Sequence, residues 1–199
     1  RSFIKLQKSH PAVGWVRGNL VPEKDSSIEI LELTREIEKL KQQIEDTKTK
    51  APKGSENLAQ GYDEIVLHYT CESNDGTVYD FQSTHSWKGV IDTTWNDVFA
   101  QIAPLLISEI NEHQIKVALN KFVEKLGTEI LKNNKDAKGH KFNSFVINED
   151  DYQTIKVQLR ALGLIEQSDK KRAISDKGTY WTLTPYGDTI MNQLRAIKK

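Results

Sequence analysis

The chain has 199 residues, and its 28 lysines and arginines balance 28 aspartates and glutamates, so the formal net charge is zero. This length suits one or two small domains, and an apolar fraction of 37% is compatible with a globular core rather than wholesale disorder. No window approaches 18 uncharged apolar residues, so no membrane-spanning segment and no membrane partner are predicted. The charge is unevenly spread, because residues 132–199 carry 13 basic and 8 acidic side chains. A basic C-terminal third points weakly to an anionic partner.

The counts of cysteine and methionine indicate the expected cellular compartment and the extent of the sequence. Cys71 is the only cysteine and Met191 the only methionine. A single cysteine is incompatible with an internal disulfide framework and is typical of a reducing compartment, so a cytoplasmic location is expected. Because the sequence opens with Arg1 and its methionine lies near the other end, we expect a piece of a longer protein. Residues 1–25 hold apolar side chains without a sustained period and are interpreted as the tail of a preceding domain.

Residues 26–50 are predicted to form a helix, with a capping box between Ser26 and Glu29. Five apolar residues recur along it at spacings of three and four, namely Ile30, Leu33, Ile37, Leu40 and Ile44. Isoleucine at every a position with leucine at d favours a parallel two-stranded coiled coil, in which Glu36 at g could pair with Lys41 at the following e. The alternative is an amphipathic helix packed on its own domain, since the run covers only about two and a half heptads.

A linker and a hairpin are predicted next. Residues 51–61 combine proline, glycine and charges without a period, which indicates a linker. Apolar and polar residues then alternate towards Cys71, and Asn74-Asp75-Gly76 is a turn signal. A β-hairpin over residues 62–86 is therefore predicted, with Val78, Tyr79 and Phe81 in its second strand.

Helices are predicted to complete a middle region over residues 62–135. Thr94 is a candidate N-cap for a helical stretch over 94–131, and Pro104 is expected to kink or end its first helix. Residues 132–141 are basic and rich in turn formers, and are predicted to be a loop.

Residues 142–199 carry the most specific pattern in the sequence. In order, it predicts a helix capped by Asn148 and ended by Gly163, a strand over 164–168, a polar loop over 169–178, a strand over 180–183, and a helix capped by Thr184 with Ile190, Leu194 and Ile197 on its buried face. This order is typical of a winged-helix domain in which the loop is the wing, and Trp181 or Tyr180 is expected to fill the core. The predicted fold is α+β: a coiled-coil helix, a middle region of hairpin plus helices, and a winged-helix end.

Three segments resemble a bacterial family. They are residues 154–165 (TIKVQLRALGLI), residues 179–188 (TYWTLTPYGD), and residues 10–18 (HPAVGWVRG) ahead of the heptads. They resemble the C-terminal regions of multidomain proteins whose N-terminal domain, of unknown function, is described as flavodoxin- or TIR-like and in some cases linked to antiphage defence. The resemblance implies the order of domain tail, short coiled coil, linker, middle region and winged helix, and it implies no catalytic residues.

The sequence offers no strong catalytic, metal-binding or nucleotide-binding motif. His68, His85 and Cys71 flank the hairpin and could meet as metal ligands, although ordinary strand residues are the favoured interpretation. Cys71 is interpreted as a core residue rather than a nucleophile. The acids at 149–151 fit the positive end of a helix dipole. No catalytic residue, metal site or cofactor is therefore predicted.

The winged helix leaves two candidate partners. Its candidate contact residues are Gln153, Lys156 and Arg160 on the helix, and Lys170, Lys171 and Arg172 on the loop. Glutamine and arginine can read base edges, and cations can contact phosphates. The acids at 149–151 argue against DNA, because the start of a recognition helix often faces the groove.

We therefore favour a non-catalytic assembly region, homodimeric through residues 26–50, that presents its winged helix to a protein partner of unknown identity. Double-stranded DNA is the alternative partner, and an enzyme is the least favoured class.

Overall fold

The structure is a computed structural model that describes residues 23–74, 84–173 and 175–197. The chain divides into two compact units, residues 1–46 and residues 47–199. Helices and antiparallel sheets are both present, so the predicted α+β class is confirmed. No helix among the described residues is long and apolar enough to cross a membrane. The first 22 residues of the predicted domain tail lie outside the described part.

The described part of the first unit belongs to one long helix, α1 (Glu23–Lys48). Its sequence is rich in glutamate, lysine and leucine, which lose little side-chain freedom in a helix. The described part of the helix already includes residues 23–25, so Ser26 lies inside the helix and not at the predicted N-cap position. Every side chain from Ser27 to Lys48 is exposed.

The larger sheet of the second unit has the strand order β2-β1-β4 and is antiparallel throughout. Its strands are β1 (Glu64–Asn74), β2 (Thr84–Thr94) and β4 (Lys141–Ile147). The hairpin predicted over 62–86 is present but longer, because β2 continues to Thr94. The residues predicted for its second strand, 78–81, lie outside the described part.

Strand β4 lies where the sequence predicts a loop over residues 132–141 followed directly by the helix that Asn148 caps. The prediction is therefore wrong for this strand. The strand lacks a clean two-residue period, since Phe142 and Phe145 are three positions apart. Ser144 between them has φ +53°, and the pairing with β1 shifts register beside it. Such a bulge hides a strand from any alternation test.

Two helices follow the hairpin. They are α2 (Trp95–Leu106) and α3 (Glu112–Lys132). The predicted cap is confirmed, because the Asp97 N–H donates to Thr94 Oγ1 over 3.2 Å. Pro104 lies in the last turn of α2, close to the predicted end. Asn111 and Gln114 exchange side-chain and backbone hydrogen bonds of 2.9 and 3.0 Å, which fixes the start of α3.

The C-terminal elements contain a second, smaller sheet of order β3-β6-β5. Its strands are β3 (Ile110–Asn111), β5 (Ile165–Gln167) and β6 (Tyr180–Leu183), and its flanking helices are α4 (Glu149–Ala161) and α5 (Pro185–Arg195). Asn148 caps α4 through a 2.8 Å bond from the Asp150 N–H. Gly163, with φ +68°, follows α4 in a conformation that favours glycine. Thr184 caps α5 through a 2.9 Å bond from the Gly187 N–H.

One hydrophobic core connects both sheets to α2, α3, α4 and α5. Trp181 is 5% exposed and fills this core, as predicted. The predicted buried face of α5 is partly wrong: Met191 is buried, Ile190 and Leu194 are half-buried, and Ile197 is exposed. The physical reason is that α5 ends at Arg195, after which Ala196 is extended and carries Ile197 away.

Candidate interaction surfaces

The apolar residues predicted to dimerise form one stripe on α1, which we call the heptad stripe. Their exposed fractions are 65% for Ile30, 52% for Leu33, 51% for Ile37, 49% for Leu40 and 54% for Ile44. Their spacing places them on one side of the helix. All five side chains of the stripe are therefore about half exposed.

Glu36 and Lys41 flank the heptad stripe and are both exposed. They are five positions apart, so they do not face each other on a single helix. In a parallel coiled coil the same spacing brings the g side chain of one helix to the e side chain of its partner. The pair therefore suits contact between two chains better than contact within one.

The second candidate surface combines the exposed side of α4 with the loop over residues 168–179. We call it the loop–helix surface. Gln153, Val157 and Arg160 are exposed on α4, and Val157 is 63% exposed. Lys170 and Lys171 are exposed on the loop. The predicted contact residues therefore lie on α4 and on the loop that follows β5.

Two loop cations are tied to one carboxylate. Lys170 Nζ lies 3.0 Å from Glu109 Oε2, and Arg172 forms an ion pair with the other oxygen of Glu109. The Glu109 side chain is only 9% exposed. The guanidinium of Arg172 also lies 3.5 Å from the ring centre of Tyr180, a cation–π arrangement. These contacts offset the charge of both cations, while the Lys170 side chain stays 73% exposed.

The helix cations are paired in the same way. Lys156 forms an ion pair with Glu112, and Lys116 forms one with Glu149. The hydrogen bond from Lys116 holds the pKa of Glu149 below its usual range. Gln153 Nε2 donates to Glu149 Oε1 over 2.8 Å. The Glu149 carboxylate at the start of α4 is therefore paired, while its side chain stays 57% exposed.

Among the described residues, no ion pair involves Arg160 or Lys171. Four of the six predicted contact residues consequently have carboxylate partners, and the other two have none within the part of the chain that the structure describes. No local sequence pattern identifies Glu109 or Glu112 as these partners. Glu109 lies 61 positions from Lys170, and Glu112 lies 44 positions from Lys156.

The possible metal ligands of the hairpin lie on opposite sides of the sheet. Cys71 is buried, whereas His68 is exposed and its Nδ1 lies 2.9 Å from Asp151 Oδ2. The Asp151 carboxylate also accepts from the backbone N–H of His68. In residues 23–74, 84–173 and 175–197, no group of three or more His, Cys, Asp or Glu is placed to hold a metal ion. The His68–Asp151 contact ties β1 to the start of α4.

Cys71 is expected to be inert towards thiol reagents in the folded protein. It is 1% exposed, and burial raises the pKa of its thiol, so both access and thiolate formation are suppressed. With an aromatic disulfide reagent at pH 8, we expect the reaction to be about a hundredfold slower than in denaturant. Reaction at the denatured rate would contradict the burial of Cys71.

No family model, curated protein or solved structure matches this chain. The function is therefore argued from the geometry of the heptad stripe and the loop–helix surface.

Proposed function

We propose that this chain is a non-catalytic assembly region that homodimerises through α1 and presents a winged-helix surface to a protein partner. The observation that carries the proposal is the heptad stripe. Five large aliphatic side chains in register along a 26-residue helix remain about half exposed. Contiguous exposed apolar surface of this kind marks an interaction site.

A second copy of α1 is the occupant that best fits the stripe. Isoleucine at a and leucine at d favour two parallel strands, and knobs from one helix fill the holes of the other. Full burial of a leucine or isoleucine side chain stabilises by roughly 1.5–3 kcal/mol, so each residue of the stripe gains by pairing. The flanking Glu36 and Lys41 add an ion pair across the interface in the parallel arrangement.

The winged-helix part of the proposal is supported by the order of elements in the second unit. The run α2-β3-α3-α4-β5-loop-β6, with sheet order β3-β6-β5, is the order expected of a winged helix. Strand β4 is then an insertion between the second and third helices. In this assignment α4 is the recognition helix and residues 168–179 are the wing.

A protein partner fits the loop–helix surface better than a polyanion does. Val157 is a large exposed apolar residue, with Gln153 and Arg160 on the same side of α4. Lys156, Lys170 and Arg172 are offset by carboxylates of the same fold. An apolar centre with a polar rim is the composition of a protein interface.

The resemblance to the bacterial family also suggests a cellular location and a biological role. In proteins of that kind a parallel coiled coil would bring two copies of a preceding domain to one end. We place the chain on this basis in a cytoplasmic assembly with a role in bacterial defence or signalling.

Disulfide trapping tests the dimer and its orientation. In a parallel, in-register dimer the Leu33 positions of the two chains meet, so Leu33→Cys should give a covalent dimer under mild oxidation. The native Cys71 is buried and does not compete. Lys39→Cys, at an outward c position, is the matched control and should cross-link much more slowly. Equal rates for the two variants would contradict the parallel arrangement.

Duplex DNA remains the second candidate partner, because Arg160 and Lys171 have no carboxylate ion pair in the described residues. Two available cations predict a slope of only about −2 in log K against log salt, and therefore weak binding. In fluorescence anisotropy from about 50 to about 200 mM salt, we expect no binding that persists at the upper concentration. Persistent binding that Arg160→Glu with Lys171→Glu abolishes would favour DNA over protein.

A further inference from the structure

The outward side of α4 carries an acid near its start, a base near its end and a valine between them. Asp150, Gln153, Val157 and Arg160 are spaced by three, four and three residues, which places them on one side of the helix. We call these four residues the α4 stripe. All four are exposed, and Val157, at 63%, is more exposed than any other valine that the structure describes. The buried residues of α4 lie on its opposite side.

The two charged residues of the α4 stripe are unpaired. Within the part of the chain that the structure describes, neither Asp150 nor Arg160 forms an ion pair, whereas Lys156 on the same helix is paired with Glu112. The helix dipole favours an acid at the start of α4 and a base at its end. It does not account for the exposed Val157 between them.

The α4 stripe is complementary to a second copy of itself that runs in the opposite direction. Positions 150 and 160 are equally far from the middle of the stripe, and so are positions 153 and 157. In an antiparallel pair, Asp150 of each copy therefore faces Arg160 of the other, and Gln153 faces Val157. A twofold axis produces both ion pairs at once, which is the geometry of an isologous contact. In a parallel pair the like charges would meet instead.

We propose that a second copy of this chain binds the α4 stripe as an antiparallel helix pair. This inference rests on the proposed function, because it names the partner of the winged-helix surface, but it does not require α1 to dimerise. One helix pair buries far less than a standard interface of about 1,600 Å². We therefore expect a weak contact, with a dissociation constant on the order of 0.1–1 mM, that does not persist at the lower concentrations of gel filtration.

Sedimentation equilibrium at high protein concentration tests the contact. Every sample carries Ile37→Glu with Leu40→Glu, so that the heptad stripe cannot contribute. From about 20 μM to about 1 mM, we expect this chain to pass from monomer towards dimer. Asp150→Arg and Arg160→Asp should each weaken the association about tenfold, because each change turns two attractive pairs into two repulsive ones.

The decisive variant exchanges the two charges. Asp150→Arg with Arg160→Asp restores both ion pairs of the antiparallel arrangement, so it should associate as the chain with the original stripe does. Lys171→Asp is the matched control, because it changes the net charge as Arg160→Asp does but lies on the loop, outside the α4 stripe. It should leave the association unchanged. Circular dichroism checks that each variant is folded.

Three results would overturn the proposal. They are a chain with the original α4 stripe that stays monomeric up to the highest concentration, an exchange variant as weak as the single variants, and a control as weak as Arg160→Asp. Because the heptad stripe is disrupted in every sample, these results do not depend on whether α1 dimerises. Disulfide trapping at Leu33 decides that question separately.

Discussion

Replacing Ile37 and Leu40 with glutamate is expected to convert the dimer into a monomer of 22.7 kDa. The two positions are successive a and d layers at the middle of the heptad stripe. In a dimer the double change would bury four carboxylates against one another, and each would be desolvated without a partner. The cost of several kcal/mol exceeds what the outer heptads can offset. Light scattering during gel filtration measures the mass directly.

The matched control carries the same change in charge away from the stripe. Lys39→Gln with Gln42→Glu lowers the net charge by two, as does the test variant, at outward c and f positions. It should remain dimeric at every concentration where the unmodified chain is dimeric. A dimer that survives Ile37→Glu with Leu40→Glu would remove the heptad stripe as the interface. Monomers in all three proteins would contradict the dimer itself.

The fold of the second unit should be indifferent to this change. The residues of that hydrophobic core all belong to the second unit. Thermal unfolding of residues 47–199 should therefore occur at the same temperature in the test variant and its control. A large loss of stability would instead show that the stripe packs on its own chain, the alternative that the short heptad run left open.

Caps and stops were readable from the sequence because they are local. Thr94, Asn148 and Thr184 each accept from a backbone N–H two or three positions ahead, and Gly163 takes up a positive φ directly after α4. Each of these signals needs only a few neighbouring residues to act. The predicted N-cap at Ser26 is wrong because α1 continues through this residue. No residue near Ser26 in the sequence prevents the helix from including earlier positions.

The larger sheet was harder to predict because its pairing is distant and irregular. Tyr69 pairs with Ile147, and the bulge beside Ser144 breaks the alternation that identifies strands. Such a stretch lacks the alternation that predicts a strand, so only its pairing with a known strand identifies it as one.

The two candidate surfaces also differ in whether local sequence signals predict them. The heptad stripe is a periodic local pattern, so the sequence names its residues. Glu109 offsets the loop cations and Glu112 offsets Lys156 on α4, and both carboxylates approach these cations only in the folded chain. Charge counts by segment therefore overstated the cationic character of the loop–helix surface.

Gly187→Ala is expected to destabilise the second unit by about 2–4 kcal/mol. A Cβ at residue 187 would lie 1.9 Å from the carbonyl oxygen of Leu164 and 2.8 Å from its carbonyl carbon. Both sides of this contact are backbone. The start of α5 is fixed there, because the Thr184 N–H donates to the Leu164 carbonyl over 3.2 Å and its hydroxyl donates to Gly163. No side-chain rotation can make room, so α5 must move away from β5.

Urea unfolding followed by circular dichroism measures the effect. With a slope near 2 kcal/mol per molar, the midpoint of Gly187→Ala should fall by about 1–2 M. Gln193→Ala is the matched control on the same helix: its site is exposed, and its stability should stay within about 0.5 kcal/mol of the unmodified chain. An unchanged midpoint for Gly187→Ala would mean that α5 does not approach β5 this closely.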